Sequence, residues 1–198
     1  MQPVVLEDFL SLQQENNILE TISDHNFPWF YYEGTILPDD YASNNDYVIL
    51  QGINPPQFSH LIKINNSPYV NTIAPILNTL AAYFGSNLQI LKIKFNLLYK
   101  LNDNTHHFPH TDVDELEDNI KTAIYYVNDS DGETYLFNEM APKKFDSVTI
   151  YKTVMPKKGK MLIFDSSRFH SSSSPTKSNI RIVLNIVFKY DHPEVRYV

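Results

Sequence analysis

The sequence predicts a mainly β protein, a double-sheet jelly roll with flanking helices, from two observations. From residue 88 onward, short segments of alternating apolar and polar residues follow one another, separated by turn residues, at the spacing of an all-β sandwich or barrel. Before them, Ser67 to Gly85 has the periodicity of a helix instead. Each alternating strand has one face to bury, and two packed sheets bury it.

The chain is expected to form one domain. It has 198 residues, 42% of them hydrophobic, which is enough for a substantial core. No repeat or linker-like change of composition divides it. We therefore predict a single domain over 1–198, with N-terminal helical support over about 1–87 and a jelly-roll core over about 88–190.

The N-terminal part is predicted to support the sheets. Residues 6–22 have a weak helical pattern, the aromatic residues 27–32 predict a strand, and residues 38–57, rich in Pro, Asp and Asn, predict a loop. In the clearest helix, Ser67 suits the N-cap and Gly85 the C-terminal end.

Six later segments have the alternation or composition of strands. Between two of them, Asp131-Gly132 predicts a tight hairpin turn. The serines 171–174 are expected in a connection, either a lid or a linker. The predicted strands are 88–99, 120–128, 133–138, 147–154, 160–164 and 179–189.

Composition excludes several functions. The absence of cysteine excludes disulfides, thiolate zinc sites and iron–sulfur clusters, so any metal must be held by His, Asp or Glu. A formal net charge of −7 disfavours nucleic acid as a partner. The sequence contains neither an apolar run long enough for a bilayer nor a secretory signal at residues 1–14. We expect a soluble, cytoplasmic protein without membrane partners.

The triplet His110-Thr111-Asp112 is the first candidate metal-binding element. On an extended segment its His and Asp side chains point to the same side. A non-haem iron(II) site needs two imidazoles and one carboxylate, and His170, after the predicted strand 160–164, could supply the second imidazole. The triplet alone is weak evidence for a metal site, because a chain with 7 His and 23 acidic residues contains such spacings by chance. The alternative is a solvated loop and a hydrogen-bonded His170.

Arg181 predicts an anion site. It alternates with the apolar residues of the predicted strand 179–189 and so projects from the strand's less apolar face. A buried guanidinium needs a partner, and its fork of donors suits a carboxylate. A dicarboxylate co-substrate would provide one.

The ordered set of motifs resembles a known family. "HTD", "YYVNDSDGETYLF" and "PKKGKMLIF", followed by His170 and Arg181, resemble the double-stranded β-helix core (a cupin-like jelly roll) of the iron(II)/2-oxoglutarate-dependent dioxygenases, in their prolyl-4-hydroxylase-like branch. The similarity covers about residues 88–189. We take the order of the motifs, rather than any single triplet, as the basis of the resemblance.

The resemblance implies roles for individual residues. The three Fe(II) ligands would be His110, Asp112 and His170, and the residues at 2-oxoglutarate would be Arg181 on the distal carboxylate, Tyr99 beside it and Thr134 in the Gly-x-Thr position.

Three of these assignments have alternatives or departures. Tyr99 could instead belong to the core. The chain has Asp131-Gly132 where the family commonly has Gly-Gly, and Arg181 lies slightly farther from His170 than expected, which leaves Lys177 as a rival anchor.

The implied activity is hydroxylation of an unactivated C–H bond with 2-oxoglutarate and dioxygen as co-substrates, releasing succinate and carbon dioxide; ascorbate is allowed for. A prolyl residue of a peptide or a free amino acid is the leading substrate. Asp112 argues against a halogenase, and Val187 stands where the nucleic-acid demethylases carry a second arginine. The alternatives are a jelly-roll metal enzyme that does not use 2-oxoglutarate and a silent binding module. The oligomeric state is left open.

Among the remaining histidines, neither His106 nor His107 has an acidic residue two positions later, and His192-Pro193-Glu194 has that spacing but no later histidine to complete a site. They are predicted to be surface residues without a metal role: His25, His60, His106, His107 and His192.

Overall fold

The computed structural model describes residues 1–36, 48–85, 87–113 and 117–191. In these ranges there are two helices, α1 (Leu12–Ser23) and α2 (Val70–Phe84). Neither described helix is both long and apolar enough to cross a bilayer. The described strands are β1 (Val4–Leu6), β2 (Phe30–Tyr32), β3 (Gln57–Leu61), β4 (Leu88–Tyr99), β5 (Ile120–Tyr126), β6 (Thr134–Met140), β7 (Ile150–Val154), β8 (Met161–Asp165), β9 (Arg168–Ser172) and β10 (Ile180–Tyr190).

The strands form two antiparallel sheets, as the prediction of a jelly roll requires. The larger sheet has the order β1-β8-β5-β10-β4-β3-β2, and the smaller has the order β7-β6-β9. The first part of the chain contributes β1, β2 and β3 to the larger sheet. The N-terminal support is therefore built from strands as well as helices.

The centre of the larger sheet is β10, which has 11 residues and pairs with β4 on one side and β5 on the other. Successive side chains of β10 point alternately to the two faces of the larger sheet. One face enters the main core together with both helices, through Ile182, Leu184, Ile186 and Phe188. The other face turns to the smaller sheet: Val183 packs in a second cluster with Leu136 of β6 and Val154 of β7. A cavity lies between the sheets on this second face.

The helix α2 begins later than its sequence suggests. The Ser67 hydroxyl accepts the N–H of Tyr69 at 3.2 Å, so it closes a turn before the helix rather than capping it. At the other end, Gly85 has φ 62°, and its N–H bonds the carbonyls of Ala81 and Ala82. The predicted glycine cap is confirmed, since a residue without Cβ adopts this left-handed conformation at no steric cost.

The predicted hairpin at Asp131-Gly132 is wrong. The strands on either side, β5 and β6, belong to different sheets, so the segment carries the chain across the jelly roll. The Asp131 carboxylate accepts the N–H groups of Thr176, Lys177 and Ser178 at 2.8–3.0 Å, which secures the turn before β10. A Cβ on Gly132 would lie 2.6 Å from a backbone oxygen, that of Ser173. Close approach of two chain segments, rather than hairpin geometry, requires this glycine.

The sequence also failed to predict β9. Four of its five residues are polar, so it lacks the apolar alternation of a strand, yet it pairs with β6 and buries Phe169 and His170. Of the serines 171–174, Ser171 and Ser172 belong to β9, whereas Ser173 and Ser174, both buried, lie in the connection from β9 to β10. Of the loop predicted over 38–57, residues 38–47 lie outside the described residues.

Replacing Asp131 with Ala should lower stability by about 1 kcal/mol, because three backbone N–H groups lose their acceptor. In a chain of this size that corresponds to a melting temperature about 2–4 °C lower. Asp146→Ala, at an exposed site, is the matched control.

The same variant should show a characteristic pH dependence. Burial opposes ionisation of Asp131, but the hydrogen bonds from Ser178, Thr176 and Lys177 hold its pKa below the ordinary 3.8. A depressed pKa stabilises the fold above the unfolded value, and this stabilisation is lost as pH falls toward the folded value. The stability difference between Asp131→Ala and the parent protein should therefore be complete at pH 7 and shrink below about pH 4. A difference that persists unchanged in acid would show that the carboxylate charge does not matter.

Candidate active site

Backbone pairing brings the predicted metal ligands together. The N–H of His110 donates to the carbonyl of His170 at 3.0 Å, and the N–H of His170 donates back at 2.9 Å. Two residues on, the N–H of Asp112 donates to the carbonyl of Ser166 at 3.0 Å. The segment that contains the triplet thus runs antiparallel beside β9 and extends the smaller sheet. Its two-residue period points His110 and Asp112 to the same side, as the sequence predicts.

The three side chains form a compact donor set. One ligand atom from each of His110, Asp112 and His170 lies within 4.8 Å of the others, and the Asp112 Oδ2 to His170 Nε2 distance is 3.6 Å. Each imidazole donates from Nδ1 to a nearby carbonyl, that of Phe108 at 3.3 Å and that of Arg168 at 3.1 Å. These bonds leave both Nε2 lone pairs available, the arrangement that metal-bound histidines require.

The protonation states also suit a metal. Burial, followed by the neighbouring His170, lowers the pKa of His110 to about 3, so its ring is neutral at pH 7. Burial opposes ionisation of Asp112, but His170, Lys92 and a hydrogen bond from the Thr122 hydroxyl hold its pKa below the ordinary value. Two imidazoles and one carboxylate are the donors that non-haem Fe(II) takes, so the residues present fit this metal.

Arg181 is a buried cation at the same cavity. Its side chain is only 3% exposed; Nε donates to the carbonyl of Gly132 and Nη2 to the hydroxyl of Thr134, both at 2.8 Å. Burial lowers its pKa to about 10, which still leaves the guanidinium protonated at neutral pH. Within the described ranges, no carboxylate forms an ion pair with it. A buried charge without a counterion is costly, so the site favours binding of an anion.

Tyr126 is a residue of this anion site that the sequence analysis missed. Its hydroxyl donates to the Thr134 hydroxyl at 2.8 Å, and its ring centroid lies 5.9 Å from the Arg181 guanidinium carbon. Burial raises its pKa to about 12 and keeps the phenol protonated. Because Thr134 accepts from both neighbours, its own proton remains available for an anion. The pattern held a clue, since Tyr126 alternates with Thr122 and Ile124 on β5, which both face the site.

The two alternative co-substrate residues lie elsewhere. Tyr99 is 56% exposed and packs against Phe58, and its neighbour Leu98, which pairs with Arg181, is the residue that faces the cavity. The structure therefore does not bring Tyr99 to the anion site. The Lys177 side chain is exposed and does not line the cavity, which leaves Arg181 as the candidate anchor.

The surface prediction is wrong for two histidines. His107 is 1% exposed and bridges the hydroxyls of Ser172 and Ser174, each at 3.2 Å, and burial followed by the charge of Arg181 lowers its pKa to about 3. It is a neutral support beneath the anion site. His60 packs in the core against Phe27. His25 is exposed as predicted, His106 is partly exposed, and His192 lies outside the described residues.

The cavity that joins these groups has a volume of about 430 Å³. Arg181 and Thr134 line it together with the three donors of the metal set. Its wall on β4 carries Lys92, Lys94 and Asn96, and Asn185 of β10 stands beside them. One cavity thus contains a metal-binding set, an anion site and a further polar wall.

Fold and site together define a double-stranded β-helix protein with two histidines and one carboxylate for a metal and a separate cation for an acidic ligand. Residues 95–189 match the 2OG-Fe(II) oxygenase superfamily, and this part of the chain belongs to that family. The resemblance inferred from the motifs is confirmed. The chain is an enzyme of the 2-oxoglutarate-dependent oxygenase class, with Fe(II) and 2-oxoglutarate as cofactor and co-substrate.

Solved structures share the fold at low sequence identity. The epimerase SnoN, in complex with Fe³⁺, α-ketoglutarate and nogalamycin RO, has a TM-score of 0.63 and 13% identity over 94% of this chain and 78% of its own. A prolyl hydroxylase from Trichoplax adhaerens, in complex with a hypoxia inducible factor peptide fragment, has a TM-score of 0.60 and 12% identity over 94% of this chain and 82% of its own. A Pseudomonas putida prolyl-4-hydroxylase has a TM-score of 0.51 and 12% identity over 96% and 92%. No curated protein sequence matches this chain significantly.

Replacing Thr122 with Val should weaken metal binding about 10- to 100-fold, because its hydroxyl donates to Asp112 Oδ2 at 2.6 Å and orients that ligand. Isothermal titration calorimetry with Fe(II), carried out without oxygen, measures the change in metal affinity. Thr153→Val, on an exposed position of β7, is the matched control. Equal affinities in both variants would show that this hydrogen bond does not orient the ligand.

Proposed function

We propose that this protein is an Fe(II)/2-oxoglutarate-dependent dioxygenase that hydroxylates an unactivated C–H bond of a small molecule or peptide. The observation that carries the proposal is Arg181, a buried cation without a carboxylate partner among the described residues, in the same cavity as the metal-binding donors. A jelly-roll metal enzyme that ignores 2-oxoglutarate has no use for this cation. A silent binding module has no use for the metal-binding set.

His110, Asp112 and His170 would hold Fe(II). With two imidazoles and one carboxylate as its protein ligands, such an ion would keep further positions for other ligands. With 2-oxoglutarate and dioxygen, the bound iron supplies the oxidising chemistry, and succinate and carbon dioxide are the co-products. The protein's own task is to orient these three side chains, through the bonds to Phe108, Arg168 and Thr122.

Arg181 and Thr134 would bind the distal carboxylate of 2-oxoglutarate, and Tyr126 would position them. The guanidinium offers further N–H donors and the threonine offers its free proton. His107, neutral and buried behind them, holds the serines of this wall without competing for the anion. Fixing the far end of the co-substrate would orient its reactive end toward the metal set.

A prolyl residue of a peptide, or a free amino acid, as the substrate is the finer part of the proposal. Its support is the prolyl-4-hydroxylase-like order of motifs and the fold shared with two prolyl hydroxylases. The same fold also occurs in an epimerase that binds nogalamycin RO, so the fold does not select a substrate. The acidic net charge of −7 supports a small molecule or peptide over nucleic acid.

Addition of Fe(II) and then 2-oxoglutarate to the metal-free protein, without oxygen, should produce a weak visible charge-transfer band that needs both additions. Asp112→Ala should lose the band and succinate production, and His110→Ala should lose succinate production, while circular dichroism shows an intact fold. Full turnover of 2-oxoglutarate by either variant would refute the assignment of the metal ligands.

Arg181→Ala should weaken 2-oxoglutarate binding by at least about thirtyfold, since loss of a buried charge pair costs about 2 kcal/mol or more. Titrating the band measures the affinity. Lys177→Ala is the matched control and should bind normally, because its side chain is exposed and outside the cavity. If Lys177→Ala is the weaker binder, the anchor has been assigned to the wrong residue.

A further inference from the structure

The central strand β10 presents an unpaired amide to the cavity. Arg181, Val183 and Asn185 line the cavity from this strand, and the residues between them enter the main core. The Asn185 side chain makes no hydrogen bond within the described residues, and its Oδ1 atom is buried. Such an atom costs free energy that a valine, as at position 183, would avoid. The amide therefore does not stabilise the fold by itself, and it is available to a ligand.

The strand register places Asn185 between the anion site and the metal-binding set. On the neighbouring strand β5, Asn185 pairs with Ile124, which lies between Thr122 and Tyr126. Thr122 bonds a carboxylate of the metal-binding set, and Tyr126 belongs to the anion site. Each of these two levels is two residues, or about 7 Å, along the strand from the level of Asn185. A dicarboxylate that reaches from the anion site to the metal-binding set therefore passes Asn185.

Three side-chain amides line the cavity, and they differ in what they bond. Gln57 donates to the carbonyls of residues 34 and 35, so it already supports the fold. Asn96, like Asn185, has a buried Oδ1 without a partner, but it lies one level nearer to the anion site. Of the three, Asn185 is therefore the unpaired amide whose strand level is nearer to the metal-binding set.

The chemistry of the amide matches one end of the co-substrate. At the distal carboxylate, Arg181 and Thr134 already offer N–H and O–H donors. The other end, a 2-oxo acid, has only acceptor oxygens and needs donors of its own. Because the Oδ1 atom of Asn185 is buried, the amide nitrogen is the polar atom that this residue can turn to the cavity. Its two N–H groups are such donors.

We propose that Asn185 is a further co-substrate-binding residue, whose amide N–H groups donate to the 2-oxo acid end of 2-oxoglutarate. This inference rests on the proposed dioxygenase function and adds a binding residue at the end opposite to Arg181. Because the donor is neutral, it adds no charge beside the metal-binding set. Two contacts at opposite ends would orient the co-substrate better than the distal contact alone.

The test compares two 2-oxo acids on the full chain with Fe(II), without oxygen. The probes are 2-oxoglutarate and 2-oxopentanoate, which has a methyl group in place of the distal carboxylate, and titration of the charge-transfer band measures both affinities. Asn185→Leu keeps the branched shape without polar atoms, and Asn185→Ala removes the amide without adding volume. Each should weaken binding of both probes about tenfold or more. Arg181→Ala should weaken binding of 2-oxoglutarate alone.

Charge and stability provide two further readouts. Asn185→Asp places a negative charge beside an anionic ligand, so it should weaken both probes more than Asn185→Leu does. Without any 2-oxo acid, the melting temperature of Asn185→Leu should be at least that of the parent protein, because the substitution removes a buried oxygen that has no partner. Asn78→Leu, at an exposed position of α2 outside the cavity, is the matched control and should bind both probes normally.

Several outcomes would overturn the inference. These are unchanged affinities in the Asn185 variants, a loss confined to 2-oxoglutarate, no band with 2-oxopentanoate in the parent protein, weaker binding of Fe(II) alone, or a lower melting temperature of Asn185→Leu before any 2-oxo acid is added. The third would show that the protein does not bind the 2-oxo acid end, and the last two would assign Asn185 to the metal site or to the fold. In each of them a band with 2-oxoglutarate in the parent protein leaves the dioxygenase function standing, whereas its absence would refute that function itself.

Discussion

The site depends on two reciprocal hydrogen bonds, between the backbones of His110 and His170. They join the segment after β4 to β9, and so bring together ligands that are far apart in sequence. Each residue contributes its side chain to the metal set while its backbone pairs in the sheet. The same backbone pairing therefore stabilises the fold and positions the metal-binding side chains. Because backbone pairing fixes both register and side-chain direction, the donors are arranged before any metal arrives.

Burial then determines the chemistry of each group. The same desolvation that keeps His110 neutral makes Arg181 a costly isolated cation, and the two effects prepare one side of the cavity for a metal and the other for an anion. The chain supports Arg181 only with uncharged groups, Gly132 and Thr134. An internal carboxylate would have stabilised the fold more and would have competed with the co-substrate.

Sequence patterns were sufficient to predict those strands whose two-residue period matches the alternation of buried and exposed side chains. The alternation of β4 and β10 predicted both strands, and the order of His110, Asp112, His170 and Arg181 predicted the family. Patterns failed where a partner distant in sequence supplies the stability. The polar strand β9 is stabilised by pairing with β6, and the apparent hairpin at Asp131 crosses between sheets because its carboxylate binds the turn before β10. Tyr126 and His107 were missed because their hydrogen-bond partners, Thr134 and the serines, are adjacent only in the folded chain.

The faces of two strands also explain how one cavity holds the anion site and the metal-binding set at different levels. Along β4 and β10, Leu98 and Arg181 lie at one level, Asn96 and Val183 at the next, and Lys94 and Asn185 beyond them. Cations therefore stand at both ends of a neutral middle, with the metal set nearer to Lys92. Arg181 is buried and bonded to Gly132 and Thr134, so its guanidinium is held in one orientation, which suits a ligand of constant geometry. This separation would place the co-substrate between Arg181 and the metal-binding set, with its reactive end toward the metal.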